Sequence, residues 1–141
     1  MMRASLPTGS IALFSLAVMA LGACVDSEMG DASAIPEITA REITLTTPDV
    51  VILDVRTAAE FAAGHVPGAI NIDVQAKGFD NLVAELDRSK TYVVHCAANV
   101  ESGRSTKALA TMDDLGFDHL QSLQGGFVAW AESGSPVSTT P

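Results

Sequence analysis

The chain alternates short apolar runs with segments that have a helical pattern, and this alternation limits its fold more than any other feature. Residues 50–53 are apolar at every position, and residues 91–95 form a second run with an apolar centre, Tyr92 to Val94. Such runs are typical of strands buried on both faces, as in parallel sheets. Their alternation with helices predicts an α/β domain with a mainly parallel sheet.

Turn and capping signals place the remaining elements. Thr57 followed by Glu60 has the spacing of a capping box, and it predicts a helix that Gly64 ends. A cap at Ser102 or Ser105 predicts a second helix that runs to residue 115. Further elements are expected as follows: a strand and a helical turn within residues 35–44, strands at 69–72 and 120–123, a helix at 79–86, and a helix around Trp130 that follows a close backbone approach at Gly125-Gly126. The polar segment from Gly134 is expected to be loose.

Residues 1–23 have the pattern of a secretory signal peptide. Arg3 is the one basic residue before an apolar run at residues 11–21, which is too short to span a membrane. The small residues that precede Cys24 resemble the lipobox of bacterial lipoproteins, in which this cysteine becomes the first mature residue and carries the lipid. An ordinary cleaved signal with an incidental cysteine is the alternative. Val25 in place of aspartate favours the outer membrane if the host is Gram-negative.

This pattern divides the chain into a signal peptide at 1–23, a lipid-anchored tether at 24–34, a domain at 35–137 and a tail at 138–141. The protein is then exported and held on the periplasmic side of a membrane. Loss of Arg3 with the signal lowers the 8 basic residues to 7 against 17 acidic ones, which leaves a net charge of −10. So acidic a domain is not expected to bind nucleic acid.

Cys96 is the candidate nucleophile. It ends the second apolar run, and a polar loop separates it from a predicted helix that begins near Arg104. This order places a thiol at the carboxyl end of a strand, facing a helix N-terminus that favours thiolate. Because Cys24 is assigned to the lipid, Cys96 is expected to be a thiol, either buried and inert or kept for its reactivity. The strand–loop–helix context favours reactivity.

Four segments together resemble the rhodanese homology domain, over residues 35–137. They are Leu53-Asp54-Val55-Arg56 with Glu60-Phe61, the segment from Gly64 to Ile72, Cys96 with Gly103-Arg104-Ser105-Thr106, and Gly125-Gly126-Phe127-Val128-Ala129-Trp130 with Gly134 and Pro136. The resemblance implies a three-layer α/β fold with a mainly parallel five-stranded sheet flanked by helices.

The same resemblance implies a sulfurtransferase without a cofactor. The thiolate of Cys96 would take sulfane sulfur from thiosulfate, a polysulfide or a persulfide, and would pass it to a thiophilic acceptor such as cyanide, a small thiol or a protein. Arg104 and Arg56 would help to bind the substrate, and Asp54 and His65 would give structural support; for Asp54 a brace to Arg56 is favoured. The loop expected to line the substrate comprises Ala97, Ala98, Asn99, Val100, Glu101, Ser102 and Gly103.

This loop departs from the usual family pattern. Ala97 stands where an arginine is common, and seven residues separate Cys96 from Arg104, which is more than usual. Glu101 adds a negative charge that would weaken the attraction of thiosulfate and oppose thiolate formation. Two alternatives therefore stay open: an oxyanion enzyme of the phosphatase or arsenate reductase type, and a non-catalytic module that binds an anion or a partner.

The three histidines suggest no further chemistry. His95 is expected to point away from Cys96, because successive strand residues face opposite sides. For His65 a hydrogen bond within its turn is favoured over contact with substrate, and His119 is expected at the surface. No spacing of His, Cys and Asp resembles a metal site.

Overall fold

The structure is a computed structural model and describes residues 35–43, 48–98 and 103–140. The predictions on the signal peptide, Cys24 and the tether lie outside these residues, as do those on Asn99, Val100, Glu101 and Ser102. None of the described helices is long and apolar enough to cross a membrane.

A five-stranded parallel sheet forms the centre of the described domain. Its strands are β1 (Glu37–Ile38), β2 (Val50–Asp54), β3 (Ile70–Asn71), β4 (Thr91–His95) and β5 (Leu120–Leu123), in the order β1-β5-β4-β2-β3. The helices are α1 (Ala58–Ala63), α2 (Phe79–Ala84), α3 (Arg104–Asp114) and α4 (Gly126–Glu132). The predicted α/β class and parallel sheet are confirmed.

Alternate residues of the central strands pack on opposite faces of the sheet. Tyr92, Val94 and Cys96 belong to a buried cluster with side chains of α2 and α3. Val93 packs in a second cluster with Trp130 of α4. The apolar runs within β2 and β4 therefore follow from burial on both sides, and Cys96 points to the α2–α3 face.

Local signals account for both ends of α1. Thr57 and Glu60 form the complete capping box at α1, and Gly64 is its C-cap. The expectation of a serine cap for α3 is wrong, because the N-cap is Gly103 and makes no side-chain hydrogen bond. Ser105 instead lies buried in the first turn of the helix, where its hydroxyl faces Cys96.

The segment after Gly134 is fixed to the domain, contrary to the expectation that it is loose. Ser138 and His65 exchange two backbone hydrogen bonds, each of 2.8 Å. The indole N–H of Trp130 donates to the carbonyl of Pro136 at 2.7 Å. Polar composition predicted a mobile end, but a buried tryptophan needs an acceptor and this segment supplies it.

Candidate active site

Cys96 follows β4 directly and lies against the first turn of α3. Its side chain is 3% exposed. The Sγ–H donates to the carbonyl of Ala98 at 3.2 Å, and Sγ lies 3.4 Å from the hydroxyl of Ser105. The thiol therefore lies beside the first turn of the 11-residue helix α3, whose N-terminus carries partial positive charge.

The N-terminus of α4 holds the backbone of the Cys96 loop. Phe127 donates its N–H to the carbonyl of Cys96, and Val128 donates to that of Ala97, both at 2.9 Å. A Cβ on Gly126 would lie 2.7 Å from the carbonyl oxygen of Cys96. The expected close approach of backbones at Gly125-Gly126 is therefore present, and its partner is the loop that carries the thiol.

Asp54 and Arg56 form a buried pair at the end of β2. The Arg56 Nη2 lies 2.5 Å from Asp54 Oδ2, and the Nε donates to Oδ1 at 2.9 Å. Nη2 also donates to the carbonyl of Gly64 at 2.8 Å, and the guanidinium lies 4.0 Å from the ring centre of Phe127. With the Arg56 side chain 5% exposed, these contacts favour a structural brace over the anion-binding role predicted for this residue.

Arg104, the first residue of α3, is paired with Glu60 of α1. Its two terminal nitrogens donate to the two carboxylate oxygens of Glu60 at 2.6 and 2.8 Å. The hydrogen bond from Arg104 is the main reason that the pKa of Glu60 falls to about 2. The arginine predicted to bind substrate thus already has a carboxylate partner in this structure.

His95 and His65 make hydrogen bonds that support the fold. The Nδ1 of His95 lies 3.1 Å from the carbonyl of Cys96, and because a carbonyl can only accept, this nitrogen carries the proton and donates. Burial lowers the pKa of His95, so its ring is neutral near pH 7. His65 Nδ1 lies 2.8 Å from the carbonyl of Phe61, and the two rings stack at 3.7 Å. Neither imidazole contacts the thiol among the described residues.

The comparison with known families decides the identity of this arrangement. A model of the rhodanese-like domain matches residues 41–133. The chain belongs to the rhodanese-like family.

Its relatives share much of the domain. The chain is 31% identical over 91 residues to a protein of Allochromatium vinosum named sulfurtransferase. The aligned region covers 64% of this chain and 80% of the relative. It is 33% identical over 95 residues to thiosulfate sulfurtransferase 16, chloroplastic, of Arabidopsis thaliana, over 60% and 77% of the two chains. A solved rhodanese-related protein of Thermoplasma volcanium superposes with a TM-score of 0.63 at 28% identity, covering 74% of this chain and 99% of that one.

The rhodanese-like loop is described on its two flanks. Ala97 is partly buried, Ala98 is exposed and accepts the thiol hydrogen bond, and Gly103 caps α3. Among the described residues, no group of His, Cys, Asp and Glu is placed to hold a metal ion.

Sequence reasoning recognised Glu60 as a cap but missed it as the partner of Arg104. The two residues are 44 positions apart, so no local spacing relates them. The family segment that contains Glu60 was the one available signal, because it ends at the same edge of the sheet as the Cys96 loop.

A mostly apolar cleft of about 380 Å³ opens beside the Arg56–Asp54 and Arg104–Glu60 ion pairs. Its lining comprises Ala63, Gly64, Phe127, Ala131 and Val137, together with Arg56 and Glu60. Phe127 links the cleft to the loop, since its N–H holds the carbonyl of Cys96. The rhodanese-like site thus has a buried thiol, two paired arginines and an apolar neighbour.

Proposed function

We propose that this protein is a sulfurtransferase that carries sulfane sulfur as a persulfide on Cys96. The observation that carries the proposal is the position of Sγ, at the carboxyl end of a parallel strand and 3.4 Å from Ser105 in the first turn of α3. Membership of the rhodanese-like family and relatives named sulfurtransferases support it.

The reaction is a double displacement. In the first step the Cys96 thiolate attacks the sulfane sulfur of the donor. A new S–S bond forms, the bond from that sulfur to the rest of the donor breaks, and the leaving group takes the electron pair, as sulfite does from thiosulfate. In the second step a thiophilic acceptor attacks the terminal sulfur, and the thiolate returns. Charge is conserved in each step, and no redox cofactor is needed.

The described residues supply a nucleophile and a fixed environment for its charge. The first turn of α3 stabilises the thiolate and then the negative terminal sulfur of the persulfide. Phe127 and Val128 donate to the carbonyls of Cys96 and Ala97, and these two hydrogen bonds fix the backbone on either side of the thiol. The two arginine ion pairs fix the end of β2 and the start of α3, which flank the loop.

Steady-state kinetics test the proposal. With thiosulfate as donor and cyanide as acceptor, we expect thiocyanate to form with the parallel double-reciprocal lines of a double displacement. Cys96→Ser, which differs by one atom, should form none. Hydrolysis of an aryl phosphate that is lost in the same variant, without any transfer of sulfur, would instead support the oxyanion enzyme.

We also propose that the domain acts outside the cytoplasm, anchored by a lipid on Cys24, with the outer membrane favoured in a Gram-negative host. The support is the signal-like sequence of residues 1–23 and the cysteine that follows it. A small thiol or a protein thiol would then be the acceptor, because a persulfide discharges readily to either.

A further inference from the structure

We propose that Glu60 is a positioning residue that determines which donor charge the site prefers. By holding the guanidinium of Arg104, Glu60 makes the site favour organic donors with a single charge over the thiosulfate dianion. This inference rests on the proposed sulfurtransferase function.

Glu60 is itself held in place. Its Oε2 accepts from the N–H of Thr57 at 3.0 Å and from the Thr57 hydroxyl at 2.8 Å. The Thr57 hydroxyl in turn accepts from the N–H of Glu60 at 3.3 Å. The capping box therefore fixes the carboxylate, which binds both terminal nitrogens of Arg104 in a two-point contact.

The guanidinium of Arg104 interacts first with Glu60 and only weakly with other negative groups. Hydrogen bonding to Glu60 is the largest cause that raises the pKa of Arg104, and negative charge on Cys96 and Asp73 adds to it. The charge of Arg104, the cation that follows the loop, is therefore matched chiefly by the carboxylate of Glu60. Its pull on an incoming anion is correspondingly reduced.

Arg56 does not replace that cation. It is buried against Asp54, and its charge is matched there by a carboxylate at 2.5 Å. The chain as a whole carries a net charge of −9. A donor with two negative charges thus meets two neutralised arginines and an acidic protein, and its repulsion is about twice that of a donor with one charge.

The apolar cleft beside the pairs suits the organic part of a singly charged donor. Phe127, Ala131 and Val137 contribute apolar surface to it, and its volume of about 380 Å³ is large enough for a small aryl or alkyl group. An organic persulfide or thiosulfonate brings one charge and such a group. Thiosulfate brings two charges and nothing apolar.

Two donors of the same chemistry separate charge from reactivity. Thiosulfate transfers its sulfane sulfur and leaves sulfite, and benzenethiosulfonate transfers the same atom and leaves benzenesulfinate. In both, the thiolate forms one S–S bond, one sulfur–sulfur bond of the donor breaks, and the leaving group keeps the electron pair. The ratio of their kcat/KM values cancels any change in the thiolate itself.

Glu60→Gln is the test variant, because glutamine keeps the capping box with Thr57 and removes the charge. We expect kcat/KM for thiosulfate, relative to benzenethiosulfonate, to rise about fivefold, mainly through a lower KM. Glu42→Gln is the matched control. Glu42 accepts from the N–H and hydroxyl of Thr39 in the same way, at 2.9 and 2.6 Å, and forms no ion pair with an arginine among the described residues. Its ratio should not change.

A second measurement uses only the unaltered protein. Added salt should raise kcat/KM for thiosulfate more than for benzenethiosulfonate, because it screens the stronger repulsion. A fall with salt would show an uncompensated cation and overturn the inference. So would an unchanged donor ratio in a Glu60→Gln variant that is fully folded at the assay temperature. If neither donor loads Cys96 in the unaltered protein, the proposed function fails as well.

Discussion

Phe127 donates its backbone N–H to the carbonyl of Cys96 at 2.9 Å, so the start of α4 is bonded directly to the loop that carries the thiol. The contact is possible because the preceding residue has no side chain. Gly126 has a φ of +63°, and a Cβ there would lie 2.7 Å from the Cys96 carbonyl oxygen and 2.8 Å from that of Ala97. The geometry of the loop therefore depends on a glycine 30 positions away in the sequence.

Gly126→Ala should destabilise the protein by about 3 kcal/mol or more, because it adds a backbone clash to the cost of a left-handed conformation. Gly134→Ala is the control, since Gly134 has a φ of +75° but nothing within 4 Å of the added carbon. It should cost about 1–2 kcal/mol. Denaturant unfolding of the two variants measures the difference, and equal losses would contradict a close contact between α4 and the loop.

Truncation after Gly134 should destabilise the domain by about 2–4 kcal/mol. The shortened chain loses the acceptor of the buried Trp130 indole and the two backbone hydrogen bonds between His65 and Ser138. Truncation after Thr139 keeps all three bonds and should change the free energy of unfolding by less than about 0.5 kcal/mol. Similar stability for both truncations would mean that the segment after Gly134 is loose after all.

The fold was more predictable from the sequence than the site contacts. The strands β2 and β4 and the helix α1 follow from local patterns, namely continuous apolar runs and the capping box of Thr57 and Glu60. The pairing of Glu60 with Arg104 depends instead on where two separate strands end in the same sheet. Ser105 was misread as a cap because an isolated serine before a helix does not show which buried group its hydroxyl faces.

Stability should depend on pH through Glu60. Its pKa is about 2 in the folded protein, against an ordinary value of 4.5. A lowered carboxylate pKa stabilises the fold fully above pH 4.5, and the contribution is lost as the pH falls from there towards 2. The stability difference between the unaltered protein and Glu60→Gln should therefore narrow over this window. A constant difference in thermal or denaturant unfolding between pH 7 and pH 2 would rule out the lowered pKa.

Membrane attachment should depend on Cys24. We expect Cys24→Ser to leave the protein unlipidated, because the sulfur of Cys24 is the atom that would carry the lipid. The variant should move from the membrane fraction to the soluble fraction of a bacterial host. Val25→Asp, tested in a Gram-negative host, should keep it in a membrane and favour the inner one. A protein that stays in the membrane fraction after Cys24→Ser would show that another segment attaches it.

The most direct test of the account is the intact mass of the protein after brief exposure to benzenethiosulfonate or thiosulfate and removal of the excess donor. We predict a gain of one sulfur atom per chain, lost again on addition of a thiol or cyanide and absent in Cys96→Ser. An unchanged mass with every sulfane donor, or the same gain in Cys96→Ser, would contradict a persulfide on Cys96.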